Sequence, residues 1–408
     1  MRAYLEILKM HGVQKLIISS LPARLAYGMI LLGIFFKVEQ STDSITLAGL
    51  SVGLNGLASS VTAGIRSGFI DKYGLTLPLR YFVPAYSAMI VVFNYTHGRT
   101  ALVVIAFILG LTSPPINLAV RPLWKIVVPV SSQRSSFAID TAVMSTTAVI
   151  GPVLVTTLAL SSHPIIALNV CAASMLLGGI ALALLKVTKD WRPEEKISGA
   201  QHLLKLPAIR VLIAEGVFIG LAYGIFETGV PAFTTIEGVA ERTGLIFAVM
   251  AIFNIFGSLL AGLISKKISS LRAFRRTYLF WVIVCSPLVL TNPDWTLLTI
   301  TALLGLAGGM QMVFYWEIVE AVRPIGAATS AMGWLWTFEG TAAAFGASIS
   351  GYISETYSPR YCLAAVSICV AIGYLIIAKG FRLLLAADRL PTRSEDEIAL
   401  STTLDNSN

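Results

Sequence analysis

Ser19 to Phe36 reads SSLPARLAYGMILLGIFF. The stretch is apolar, yet it holds Pro22 and one charge, Arg24. Its tetrapeptide Leu25-Ala26-Tyr27-Gly28 returns as Leu221-Ala222-Tyr223-Gly224, and Gly33 returns as Gly229, both displaced by 196 residues. Self-similarity at about half the chain length means two related halves and not a short-period solenoid.

The rest of the chain has the same character. Of its 408 residues, 56% are hydrophobic and 13% charged, with a mean hydropathy of +0.78. A soluble protein carries about 25% charged residues, so the solvent for most of this surface is lipid. In lipid every backbone polar group must be bonded internally, which leaves helices or a closed barrel. The apolar runs are continuous and close to the roughly 20 residues that a helix needs to cross. The expectation is therefore an all-α polytopic membrane protein with 12 transmembrane helices in two pseudo-symmetric six-helix bundles.

The spans expected are 14–36, 46–70, 79–96, 100–124, 136–160, 164–186, 208–232, 243–265, 274–291, 296–320, 326–352 and 359–383. Charge tests this count. With Arg24 set aside, only Lys37, Arg99, Arg242 and Arg360 fall in odd-numbered connections. The other 25 of the 30 Lys and Arg lie in or beside the termini and the even-numbered connections. By the positive-inside rule both termini are cytoplasmic. Residues 1–186 form the first bundle, 187–207 a basic cytoplasmic connection lying on anionic lipid, 208–385 the second bundle, and 386–408 a disordered polar tail. Residues 1–15 are polar and mixed, so no cleaved leader is expected. Cys171, Cys285, Cys362 and Cys369 all fall in apolar segments, without zinc or disulfide spacing.

Between spans two and three the chain reads Ser67-Gly68-Phe69-Ile70-Asp71-Lys72-Tyr73-Gly74-Leu75, then Arg80. With the two halves and the long central connection, this resembles the major facilitator superfamily, whose pattern there is Gly-x-x-x-Asp-Arg/Lys-x-Gly-Arg. Asp71, Lys72 and Gly74 match, the leading glycine is displaced to Gly68, and the basic residue after Gly74 is missing. The resemblance implies a cytoplasmic conformational gate at Gly68, Asp71, Lys72 and Gly74, with Asp71 latching the halves. Patterns of the drug/proton antiporters fail in part: Ala106 stands where their span-four Arg belongs, and only Gly151-Pro152 survives of their span-five glycine motif.

A cargo site in such a fold lies near the midplane, where breakers occupy matching positions in the halves. Aligning Gly110-Leu111 with Gly305-Leu306 places Pro114 on Gly309. Both segments are expected to lose regular helical bonding there, either to line a cavity or simply to kink for packing. Polar residues follow the same segments: Ser113, Asn117 and Arg121 on span four, Gln311 and Tyr315 on span ten, and Arg24 with Tyr27 on span one. Arg24, Tyr27, Ser113, Asn117, Gln311 and Tyr315 are the candidate cargo contacts, with Trp334, Trp336 and Phe338 as apolar wall. Arg24 near mid-depth is either an anion-binding cation or a fixed partner for Glu215, Glu339 or a carbonyl. Glu227 and Glu339, then Glu215, are the candidate proton carriers, and Arg121 with Asp140 a candidate paired gate.

These residues point to a secondary transporter that moves a small organic molecule by rocking two halves, coupled to protons. The degenerate motifs lean towards efflux by antiport; the alternative is uptake of a sugar, amino acid or organic anion by symport. No Gly-x-x-x-x-Gly-Lys-Ser/Thr phosphate loop occurs, which disfavours a primary pump. No catalytic triad or metal cluster stands out, so no enzyme activity, cofactor or metal is expected. The expected partners are a small-molecule substrate, protons and the lipid bilayer of the cell membrane, with no nucleic acid, and the chain is expected to act as a monomer.

Overall fold

A computed structural model describes residues 2–128, 133–191, 204–263, 269–323 and 328–388. All of its regular structure is helical. A short amphipathic helix, α1 (Arg2–Lys9), precedes the first long one, α2 (His11–Thr42), which contains the opening stretch. Then come α3 (Ile45–Tyr73), α4 (Thr76–Tyr95), α5 (Arg99–Thr112), α6 (Ile116–Val127), α7 (Gln133–Ala159) and α8 (Ile165–Leu184). After the short α9 (Lys186–Asp190), the second half runs through α10 (Pro207–Ile236), α11 (Arg242–Leu263), α12 (Ser270–Cys285), α13 (Trp295–Val322), α14 (Ala328–Thr356) and α15 (Pro359–Gly380). Most of the central connection and the tail from residue 389 lie outside the described residues.

Among the described residues ten helices are long and apolar enough to cross a membrane. They correspond to every expected span except the fourth and the eleventh. The fourth is split into α5 and α6; the eleventh is α14, 29 residues long and more polar. The split follows from Pro114-Pro115: a proline lacks an amide proton and pushes the residue before it out of the helical region. Ser113 accordingly sits at φ −53°, ψ 118°.

The expectation of a matching break in span ten is not met. α13 is continuous through Gly305 and Gly309. Those two positions lie against the backbone of Met250 and Asn254 on α11, so there the missing side chains serve close packing.

Helix ends are set by local chemistry. Asp43 adopts the left-handed conformation, φ 52°, and its N–H closes α2 on the Glu39 carbonyl at 2.8 Å. The Ser44 hydroxyl caps α3 by accepting from the Leu47 N–H at 3.2 Å. Gly74, at φ 75°, ends α3 in a conformation that glycine adopts without steric cost, as the tight turn requires.

The pairing of helices repeats between the halves. α2 packs on α7 and α8, and α4 on α8; correspondingly α10 packs on α14 and α15, and α12 on α15. The repeated tetrapeptide now has a reason. A Cβ on Gly28 would lie 2.7 Å from the Thr147 carbonyl oxygen of α7, and one on Gly224 would collide with the Ala343 carbonyl of α14. The echo preserves a small residue where the first helix of each half crosses the fifth.

The halves meet through α3 on α14 and α7 on α11. Both contacts lie towards the same end. Gly49 rests against Ala347 and Gly351, and Gly244 against Pro152, Val153 and Thr156. The α3–α14 contact runs as far as Ser60 and Gly340. Beyond it, towards the end carrying the Gly74 turn and α9, Val61, Ile65, Trp334 and Trp336 are exposed. The molecule is thus closed at the Asp43 end, and a cleft opens between the halves towards the basic end.

Candidate functional site

The break in span four builds a cavity of about 180 Å³. Its wall is made by Tyr27 of α2, Ser59, Ala63 and Arg66 of α3, and the run Ser113–Asn117. The break leaves the Ser113 carbonyl to a side chain of α3, and the Pro114 carbonyl, which the Ile116 N–H reaches at 2.9 Å, takes a second donor from α2. The Tyr27 hydroxyl donates to the Pro114 carbonyl and lies 3.4 Å from the Ser113 hydroxyl. The Arg66 guanidinium donates to the carbonyls of Ser113 and Ser59, with the Ser59 hydroxyl at 3.2 Å.

Three of the expected cargo contacts, Tyr27, Ser113 and Asn117, are therefore brought to one place. Sequence reasoning passed over Arg66, which counts equally well among the basic residues of the connection after span two. It is 6% exposed. The available signal was its place one turn inside an apolar helix, where a charge is costly and therefore informative.

Arg24 does not join the cavity. Its Nη2 lies 2.7 Å from Oδ1 of Asp140 on α7, both side chains being buried. The Trp124 indole N–H donates to the same oxygen at 2.8 Å. Arg24 is thus paired with Asp140 and not with the expected Glu215 or Glu339, and the Trp124 indole shares that carboxylate. The Arg24–Asp140 contact is one of charge and not an aligned hydrogen bond, since Nε and Nη2 of Arg24 have no hydrogen-bond acceptor among the described residues. Gly68, Asp71 and Lys72 lie in the last turns of α3 and Arg121 lies in α6, but their side chains fall outside the described residues.

The second half offers carboxylates in an aromatic setting. Buried Glu215 accepts from the Tyr278 hydroxyl at 2.9 Å. Tyr278 stacks edge-on against Phe274, which contacts Tyr315, which in turn contacts Trp316 and through it Trp336. Glu339 is close enough to interact electrostatically with Glu215 and Tyr315, and Tyr223 with both Glu227 and Glu339. Among the described residues none of these three carboxylates has a basic side chain within salt-bridge distance. Gln311 uses its Oε1 to accept from the Thr277 hydroxyl at 3.1 Å, while its Nε2 and the Tyr315 hydroxyl are buried without a hydrogen-bond partner among the described residues. Gln311 and Tyr315 therefore stand apart from the Tyr27 cavity, on the other half, with hydrogen-bonding capacity unspent.

At the closed end one carboxylate joins the halves. Glu355 near the end of α14 accepts from the Ser44 hydroxyl at 3.0 Å and from the Thr46 N–H. An acceptor from the second half thereby caps the amino end of α3 in the first. Replacing Glu355 with Gln is expected to weaken this closure by about 1 kcal/mol, less at high salt. Spin labels placed at Asp43 and Tyr357 report it as a larger long-distance population; an unchanged distance distribution counts against the closure.

Two helical bundles with matched internal pairing, touching at one end around a cleft, have the architecture of a two-bundle membrane transporter. The sequence profile of the Major Facilitator Superfamily matches residues 16–347, and the chain belongs to that superfamily. An uncharacterized MFS-type transporter, y4rN, of Sinorhizobium fredii (strain NBRC 101917 / NGR234) is 24% identical over 280 residues, covering 64% of this chain and 68% of that one. The nucleoside transporter NupG superimposes with a TM-score of 0.70 at 13% identity, over 92% of this chain and 99% of that one. A bacterial homologue of the iron transporter ferroportin, in an inward-facing state, gives 0.73 at 12% identity over 93% and 100%. At such identities these likenesses speak for the fold.

Proposed function

We propose that the chain is a secondary active transporter of a small organic molecule, working by alternating access and coupled to protons, with efflux by antiport as the leading direction. The observation that carries this reading is the cleft: closed at one end, open at the other, with a polar cavity on the first half and, among the described residues, three carboxylates without basic partners on the second. Rocking about the α3–α14 and α7–α11 contacts would exchange which end is open. In this reading the basic, open end faces the cytoplasm of the cell by the positive-inside rule, with both termini on that side. Residues 1–186 and 208–385 are the two moving bodies, 187–207 tethers them, 386–408 is the tail, and one chain suffices.

Tyr27, Ser113 and Asn117 then contact cargo from the first half, and Gln311 and Tyr315 from the second. Glu227 and Glu339, with Glu215 behind them, exchange protons as water access alternates. Gly68, Asp71, Lys72 and Gly74 latch the cytoplasmic side when it closes. Uptake by symport is the second reading, favoured by one observation: a cation on the cavity wall suits an anionic cargo entering with a proton.

The test is flux in reconstituted vesicles under imposed pH gradients, with a pH-sensitive dye inside. Cargo and protons move oppositely in antiport and together in symport. Glu227→Gln and Glu339→Gln are expected to lose at least about tenfold in gradient-driven flux while keeping cargo exchange without a gradient. If neither variant alters the pH dependence, these two are not the carriers.

A further inference from the structure

We propose that the cargo seated in the Tyr27–Arg66 cavity carries an anionic group, a carboxylate or a phosphate-type headgroup, held between the Arg66 guanidinium and the amino end of α6. The proposal deepens the transporter reading and rests on it. Two buried arginines described in the first half are treated differently. Arg24 is neutralised by Asp140. Arg66 is as deeply buried, yet its described partners are all neutral: the carbonyls of Ser113, Ser59 and, at 3.4 Å, Thr62, with the Ser59 hydroxyl. Carbonyl contacts fix the guanidinium in place but leave its charge whole.

That uncompensated charge lies on a cavity, and none of the described residues lining the cavity is acidic. The opposite wall adds to the same sign. Because Pro114-Pro115 breaks span four, α6 begins at Ile116, and its first residues Ile116 and Asn117 line the cavity. The Ile116 N–H is taken by the Pro114 carbonyl and the Ala119 N–H by the Pro115 carbonyl, so the positive end of the helix dipole and the Asn117 N–H between them are what the first turn of α6 presents. The Ser113 hydroxyl and the exposed Asn117 amide supply neutral hydrogen bonds beside it. A volume of about 180 Å³ admits a headgroup and a short body, with the remainder of a longer molecule lying in the cleft. A guanidinium and a helix amino end together select a planar carboxylate or a tetrahedral oxyanion over a neutral polar group.

The full chain bearing Asn117→Cys, reconstituted in vesicles, tests this whatever the cargo is. Its reaction rate is measured with an anionic sulfonatoethyl and a cationic trimethylammonioethyl methanethiosulfonate, with the parent chain as background for the native cysteines. The anionic reagent is expected to be favoured, relative to a free thiol, by about tenfold. The preference is expected to vanish in Arg66→Gln and return in Arg66→Lys. Benzoate and phenylphosphonate are then compared with benzyl alcohol as protectants against an uncharged thiosulfonate. Protection by benzoate alone assigns a carboxylate, and by phenylphosphonate alone a phosphate-type group; both support the proposal. A preference that survives in Arg66→Gln, or benzyl alcohol protecting as well as the anions, or no protection by either anion, overturns it. Should Arg66→Gln fail to fold, the protection experiment on the Arg66 chain decides. Anion protection without flux of any anion would reject the transporter reading and keep the site; flux of neutral cargo without protection would do the reverse.

Discussion

Arg24→Ala is expected to destabilise the protein by about 3–5 kcal/mol, because it strands the Asp140 carboxylate in a buried site. Asp140→Ala is expected to cost a similar amount by stranding the guanidinium. The pair lies between α2 and α7, with the Trp124 indole of α6 on the same oxygen, so it ties three helices of one half together. The double variant Arg24→Met/Asp140→Leu removes both charges and fills much of the space, and it is expected to recover most of the loss. Thermal unfolding in detergent, followed by tryptophan fluorescence, of the parent, Arg24→Met, Asp140→Leu and the double variant measures the four corners of the cycle. A coupling near zero would mean that the two charges are independently solvated. Flux through the double variant separates structure from transport: retained flux makes the pair a fixed strut, and lost flux gives it a part in the conformational cycle.

The same pair marks the boundary of what the sequence could tell. An arginine at mid-depth in an apolar helix announces that something must compensate it. Which carboxylate does so depends on how α2 crosses α7, and no spacing along the chain encodes that crossing. The fold itself was legible because lipid imposes it residue by residue: continuous apolar runs of fixed length, basic residues in every second connection, and a tetrapeptide repeated at half the chain length. The break at Pro114-Pro115 was legible for the same reason, since a proline changes the backbone wherever it falls. The supposed break at Gly309 was not, because glycine permits two outcomes, a distorted helix or a close neighbour. Only the presence of α11 beside it, at Met250 and Asn254, selects the second. Arg66 was missed because counting it as a loop cation satisfied the charge rule equally well.

The second large effect expected is steric and falls on the repeat itself. A Cβ at Gly224 would overlap the Ala343 carbonyl, a backbone atom that cannot turn aside, and one at Gly28 would press on the Thr147 carbonyl and on Gly151. Gly224→Val is expected to force α10 and α14 apart at a cost of about 1–3 kcal/mol or more, and Gly28→Val to do the same to α2 and α7. Gly216 supplies the contrast on the same helix α10: nothing lies within 4 Å of a Cβ built there. Gly216→Ala should therefore stabilise α10 by roughly 0.5–1 kcal/mol through helix propensity alone. Unfolding temperatures of Gly28→Val, Gly224→Val and Gly216→Ala, read beside the parent, set these apart, and Gly28→Ala with Gly224→Ala grades the response by volume. Parallel losses at residues 28 and 224 would tie the repeated glycine to the crossing of the first and fifth helices in each half. A loss at one alone would mean that the halves have drifted in how they pack, and losses at neither would separate the repeat from the packing to which it is here attributed.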